Sequence, residues 1–227
     1  MRFFLSLECK HFSFFIIGIV ISVTSDIIKV TDITKGGHVV KIDWLVLNYN
    51  LPTEPSRHRV AIWRGLKKIG AMNIQQSMWL LPNNEENYLA LQKISQDIES
   101  NDGESLLMKS IFFEEKHEER VISLFNNIRD EEYMELIREC EKYLKEIEKE
   151  IAIEKFTFPE LEEEEAEFEK LFSWYKKIQA RDLFNSSNQN EAIEIIDKIK
   201  KAFENYSEMV CQRNIMEQEM QIEKGDL

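Results

Sequence analysis

Residues 43–71 read DWLVLNYNLPTEPSRHRVAIWRGLKKIGA, and the fold class turns on them. The first seven, from Asp43 to Tyr49, are a short apolar run of β-prone side chains and read as a strand. Pro52 and Pro55 then make a turn, since neither has an N–H to give to a ladder, and Ser56 is a suitable N-cap. Over 57–69, Ile62, Trp63, Leu66 and Ile69 recur at helical spacing, which predicts a helix with these four on its apolar face. Gly70 supplies the stop.

Downstream, residues 71–81 (AMNIQQSMWLL) suit one strand or a bent hairpin, closed by Pro82. Asn83 or Asn84 caps a second helix carrying Leu89, Leu91, Ile94 and Ile98. Asn101, Asp102 and Gly103 make a turn, and residues 105–113 a further strand. Strand, helix, strand, helix and strand in so short a stretch predict an α+β fold, a small ferredoxin-like β-α-β domain over residues 41–118.

The remainder is helical. Tyr133, Ile137, Cys140, Leu144, Ile147 and Ile151 alternate at spacings of four and three, a seam of heptad type. Residues 156–159 break it, and a second helix over 161–178 turns Phe168, Leu171, Phe172 and Tyr175 inward. The two are expected to pair as an acidic antiparallel hairpin over residues 119–184. Residues 185–227 complete the long all-helical part, with Ala192, Ile195, Ile196, Ile199, Phe203, Tyr206 and Val210 marking a third helix and 217–227 expected to fray.

Upstream, residues 1–40 are an extension containing an apolar run at 12–23 (FSFFIIGIVISV). It is too short to span a bilayer, so no stable membrane insertion is expected. Two readings fit: a signal-peptide core with Val23-Thr24-Ser25 as cleavage site, or a start placed upstream of the natural domain. Glu8 and Lys10 just before the run favour the second.

The net charge of −13 has a location: residues 114–175 hold 21 Asp and Glu against 9 Lys and Arg, whereas 44–113 hold 7 of each sign. The acid therefore weighs against nucleic-acid binding by the tail and leaves the first domain open to it. Cys9, Cys140 and Cys211 are scattered, as are His11, His38, His58 and His117. Neither a disulfide framework nor a metal site is expected, and a reducing, cytoplasmic setting fits. Glu160 to Glu169 is a solvated acidic helix face, because a helix spreads its carboxylates where a hard cation needs them to converge. With neither a nucleophile elbow nor a Walker loop, no catalytic residue and no cofactor are expected.

The basic residues of the first helix are the candidate site. Arg57, Arg64 and Lys68 fall within about 40° of one another at 100° per residue, opposite the apolar face. Such a stripe either holds phosphates or is a solvated face. Arg59 projects towards the Trp63 and Leu66 side, where it should pair with a carboxylate of the tail or bind an anion.

Several ordered stretches together resemble the N-terminal domain of the chromate-resistance regulator family (ChrB type). They are residues 44–52 (WLVLNYNLP), 55–71 (PSRHRVAIWRGLKKIGA), 77–82 (SMWLLP), 130–133 (DEEY), 155–163 (KFTFPELEE) and 178–184 (IQARDLF). The resemblance implies transcriptional control of chromate-efflux genes, with chromate or another oxyanion as effector and with DNA and a second copy of the chain as partners. It places Arg57, Arg59 and Arg64 as DNA or anion contacts, joined by Lys68 of the basic stripe, with Trp63 supporting the helix. Arg181 is a further anion candidate beside Asp182 as structural support, the alternative being that this pair neutralises itself. Full-length members carry another C-terminal domain, and only a helix stands in its place before Leu227. The strand–helix–strand portion also looks like the ferredoxin-like fold of CRISPR-associated adaptation nucleases and phenylacetate-type repressors. Those nucleases use an Asp at the end of the first strand, where this chain has Asn48, Tyr49 and Asn50. The leading expectation is thus a dimeric DNA-binding regulator. The alternatives are a protein-interaction module built on the acidic hairpin and, last, a metal-dependent nuclease.

Overall fold

The computed structural model describes residues 42–225, so the expectations for the extension at 1–40, with Cys9, His11 and His38, lie outside the described residues. In chain order the elements are β1 (Trp44–Asn50), α1 (Ser56–Lys68), β2 (Met72–Gln75), β3 (Met78–Pro82), α2 (Glu85–Glu99), β4 (Glu104–Ser110), α3 (Glu115–Ala152), α4 (Phe158–Gln179) and α5 (Gln189–Gly225). The expected α+β start followed by a long helical part is what the chain forms. Two compact units divide it. Among the described residues, one holds the sheet and comprises 42–139 with Leu171–Ile196; the other is helical and comprises Cys140–Lys170 with 197–225.

In the sheet unit the strand order is β2-β3-β1-β4. The pairings are antiparallel throughout, so two β-α-β segments interleave. The stretch 71–81 resolves as a hairpin, with the turn at Gln76 and Ser77 and a register irregularity between Asn73 and Gln75. Asn73 stitches that irregularity by donating its amide to the carbonyls of Gln75 (3.1 Å) and Met78 (3.3 Å). Trp44, Leu45, Val46 and Leu47 are all buried, so this end of β1 is covered on both faces. Ile62 and Leu66 of α1 and Leu91, Ile94 and Ile98 of α2 belong to the same core. A Cβ on Gly65 would lie 3.6 Å from Ile94 Cδ1, which shows how closely α1 approaches α2.

Trp44 is enclosed by aromatic rings. The centroids of Phe112, Phe125 and Phe184 lie 5.7, 5.9 and 5.8 Å from its own, and its indole N–H donates to Glu118 Oε1 at 2.8 Å. Asn84 rather than Asn83 caps α2, its side chain accepting from the Asn87 N–H at 2.7 Å. Gly70 stops α1 as expected, with φ +80°. Three local readings change. Leu89 is exposed, its place on the buried side of α2 being taken by Asn87, which donates to the Pro82 carbonyl. The last strand ends at Ser110, and Phe113 beyond it is 94% exposed. Pro55, whose bond to Glu54 is cis, is the N-cap of α1, Ser56 is its first residue, and no side chain caps it.

In the helical unit, Cys140, Tyr143 and Ile147 of α3 are buried, as are Leu161 and Phe168 of α4 and Ile199, Phe203, Tyr206 and Val210 of α5. The buried line on α3 passes through Leu136, Cys140, Tyr143, Ile147 and Glu150, so Leu144 and Ile151 sit at its flank instead of in the seam. Tyr143 spans the pair by donating its hydroxyl to the Glu164 carbonyl at 3.2 Å, and Phe168 stacks on Phe203 at 5.4 Å with ring planes 6° apart. The break after α3 is held by α5: Tyr206 donates to the Lys155 carbonyl (2.7 Å), and Asn214 donates to that of Phe156 (3.4 Å). Helix α5 continues to Gly225, through the stretch expected to fray.

Candidate nucleic-acid interface

Helix α1 carries Arg57, Arg59, Arg64, Lys67 and Lys68 and has no Asp or Glu anywhere in its thirteen residues. Its buried residues are Ile62 and Leu66, with Ile69 partly buried beyond them. Arg57, Arg64 and Lys68 are exposed on the opposite side, the arrangement expected from their spacing. Along the axis, Arg57 and Lys68 are roughly 16 Å apart at 1.5 Å per residue. The only polar contact of this trio is that of Arg57 Nε with the ring Nε2 of His58 at 3.2 Å, among the described residues.

Two expectations about this helix are corrected. Arg59 is exposed and makes no ion pair among the described residues, so it does not bridge to a tail carboxylate. Its azimuth is close to that of Leu66, but it lies in the first turn, before the contact with the sheet begins at Ile62. Trp63 is 49% exposed and is therefore not part of the buried support of the helix. Val60, one turn earlier on the same side, is 43% exposed. Lys67 is half-buried, with its ammonium 5.9 Å from the centre of the buried Trp79 ring.

Arg181 and Asp182 do not neutralise each other. Arg181 donates through Nε to the Lys177 carbonyl (2.9 Å) and through Nη2 to Glu132 Oε2 (3.1 Å). Asp182 accepts from the backbone N–H of Ser186 at 3.1 Å and from its hydroxyl at 3.1 Å, tying the turn before α5. Arg181 is positioned by Gly70: a Cβ there would sit 3.3 Å from Arg181 Cβ, which puts this arginine just past the Lys68 end of α1.

Sequence patterning does not single out Arg129. It is buried, and its Nη1 reaches the same Glu132 oxygen at 3.1 Å, so two guanidiniums share one carboxylate oxygen. Burial pulls the Arg129 pKa down, opposed by the charge of Glu132. Burial likewise pushes the Tyr133 hydroxyl up. The one available signal is spacing, since Arg129 lies four residues before Tyr133 on the inward line of α3.

At the end of β1, where an adaptation nuclease would hold its metal, Asn48 and Asn50 are exposed and neutral. Among the described residues no group of three or more His, Cys, Asp or Glu is placed to hold a metal ion. No described helix is long and apolar enough to cross a membrane.

A known protein matches part of this chain. Protein ChrB of Cupriavidus metallidurans (strain ATCC 43123 / DSM 2839 / NBRC 102507 / CH34) is 34% identical over 92 residues, which are 40% of this chain and 28% of that protein. The match thus covers little more than a quarter of the relative. No solved structure matches. The family described as "Protein ChrB, N-terminal" matches residues 59–217, taking in Arg59, Arg64, Lys68, Glu132 and Arg181, and the chain belongs to that family.

Proposed function

We propose that this protein is a transcriptional regulator of the chromate-resistance type, without catalytic activity, that binds DNA as a homodimer through the exposed basic side of α1. The observation that carries the reading is the charge of that helix: five cations and no carboxylate, in a chain of net charge −13. Several basic side chains elsewhere are matched to carboxylates, as Arg129 and Arg181 are to Glu132 and Arg213 is to Glu154 and Glu217. Arg57, Arg59, Arg64 and Lys68 face solvent without such partners among the described residues. A row of free cations along one helix is what phosphate contacts need. An oxyanion is the proposed effector. Arg181 takes part only if that anion displaces Glu132, because its guanidinium already holds this carboxylate.

The test is fluorescence anisotropy with duplex DNA from the region upstream of the protein's own gene at several salt concentrations. Replacing Arg57, Arg64 and Lys68 with Gln should weaken binding and reduce the slope of log affinity against log salt by about 0.9 for each phosphate no longer neutralised. Stability should stay within about 0.5 kcal/mol, since these side chains are exposed. Wild-type protein that fails to bind DNA at low salt removes the regulator reading and leaves the acidic-hairpin interaction module in its place.

A further inference from the structure

Trp63 is a large aromatic residue left half in water on the helix that carries the free cations. Trp44 and Trp79 show the usual alternative, with 0% and 3% exposure in the core of the same unit. The buried line of α1 passes through Ile62 and Leu66 and leaves Trp63 beside it. Arg59 and Lys67 stand four residues before and after it, each one turn away on the same side, and Val60 extends the apolar surface. Arg59 is exposed and without an ion pair among the described residues, whereas Lys67 is steadied by Trp79.

Resting on the reading of α1 as a nucleic-acid face, we propose that Trp63 is a stacking platform for an unpaired base, which makes single-stranded or locally melted nucleic acid a ligand of this helix. A paired base in a duplex offers only its edges in the grooves, so an indole on a convex helix has no base face to cover there. A single strand offers both π-faces and phosphates, and an aromatic ring between cations meets both needs. The charge pattern selects a polyanion, because α1 has no carboxylate to repel one. The neighbouring exposed Val60 lets the base shed water on the same surface.

The experiment uses the full chain with a fluorescein-labelled 20-mer of deoxythymidine and with a 20-bp duplex, followed by anisotropy and by quenching of tryptophan emission. Wild type should bind the single strand with quenching. Trp63→Ala should weaken single-strand binding by about 5- to 150-fold, the range expected for removing one stacked base. Trp63→Phe should keep most of the affinity, and the salt slope should not change, because no charge is removed. Duplex affinity should move far less than single-strand affinity in Trp63→Ala. Equal single-strand affinity in wild type and Trp63→Ala overturns the proposal, as does an equal loss on both ligands. If Gln at Arg57, Arg64 and Lys68 still weakens duplex binding in that case, the regulator reading survives without the stacking site. Wild type that binds neither ligand at low salt overturns both. Binding of an acidic peptide that depends on Trp63, without single-strand binding, overturns the proposal in favour of a protein partner.

Discussion

Glu164 is 6% exposed, in a setting dense with other carboxylates. Residues 160–169 are not the wholly solvated face expected of them, because Glu160 and Glu164 turn inward. Burial raises the Glu164 pKa first, and repulsion from Glu146, Glu160, Glu150 and Glu163 adds to this, so that it is pushed up to about 7. The cations nearby are already committed: Lys155 reaches Glu150 and Glu160, and Lys149 reaches Glu146 and Glu150. The hydroxyl of Tyr143 is taken up by the Glu164 main-chain carbonyl, and that of Tyr206 by the carbonyl of Lys155. A carboxyl group whose pKa is higher folded than unfolded binds more protons in the native state between those two values. The contribution of Glu164 to stability must therefore fall as pH rises from about 4.5 towards about 7 and then level off. At 1.36 kcal/mol per unit the shift would be worth about 3 kcal/mol, and solvent screening reduces this to about 1–2 kcal/mol. Glu164→Gln removes the titration. It should match wild type near pH 4.5 and exceed it by about 1–2 kcal/mol at pH 8. Urea unfolding followed by circular dichroism across that range gives both curves, and their difference isolates this one group from the other carboxylates. Parallel curves for the two proteins, or a difference that grows towards acid, would refute the reasoning.

Gly103→Ala should destabilise the sheet unit by about 1–3 kcal/mol, because the added Cβ would meet the Asn50 carbonyl oxygen, Ile98 Cγ2 and Leu51 Cδ2, all at 2.7 Å. An unchanged thermal midpoint would mean that β4 can move aside. Glu118→Ala strands the buried Trp44 indole N–H and should cost about 1–3 kcal/mol in denaturant unfolding, while Glu118→Gln, which keeps an acceptor oxygen, should cost less.

The elements legible in the sequence are those whose signals are local. The strand from Trp44, the α1 helix with its Gly70 stop, and the inward line of α5 from Ala192 to Val210 all follow from periodicity and punctuation. The β2–β3 hairpin reads equally as one strand because its turn, Gln76-Ser77, lacks the Gly, Asn or Asp that normally marks one. The seam of α3 shifts by one residue at two places, since Tyr143 and Leu144, and likewise Glu150 and Ile151, are adjacent pairs of which either can face inward. Hydrophobicity selects Leu144 and Ile151. Packing selects Tyr143 and Glu150, whose polar ends find a carbonyl and lysines. On α1 a helical wheel gives the direction of a side chain but not how far the neighbouring surface reaches along the axis. Arg59 points much as Leu66 does but stands clear of the core, and Trp63 falls just off the covered stripe. The cluster of Arg129, Glu132 and Arg181 joins a pair three residues apart on α3 to an arginine 49 residues beyond Glu132, and only the pair on α3 has a local signature.

The ring cage around Trp44 has a consequence for biosynthesis. One wall, Phe112, follows directly after the last strand, whereas another, Phe184, comes only after α3 and α4 have been made. A nascent chain that has just completed β4 therefore has every strand of the sheet but not the side chain that closes its first tryptophan. At about 5–20 residues per second the ribosome takes several seconds to supply it. For that interval Trp44 is open to solvent and to chaperones on the side Phe184 will cover. Synthesis arrested between Phe112 and Phe184 should release a sheet that binds hydrophobic dyes, and dye binding should cease once Phe184 has left the exit tunnel.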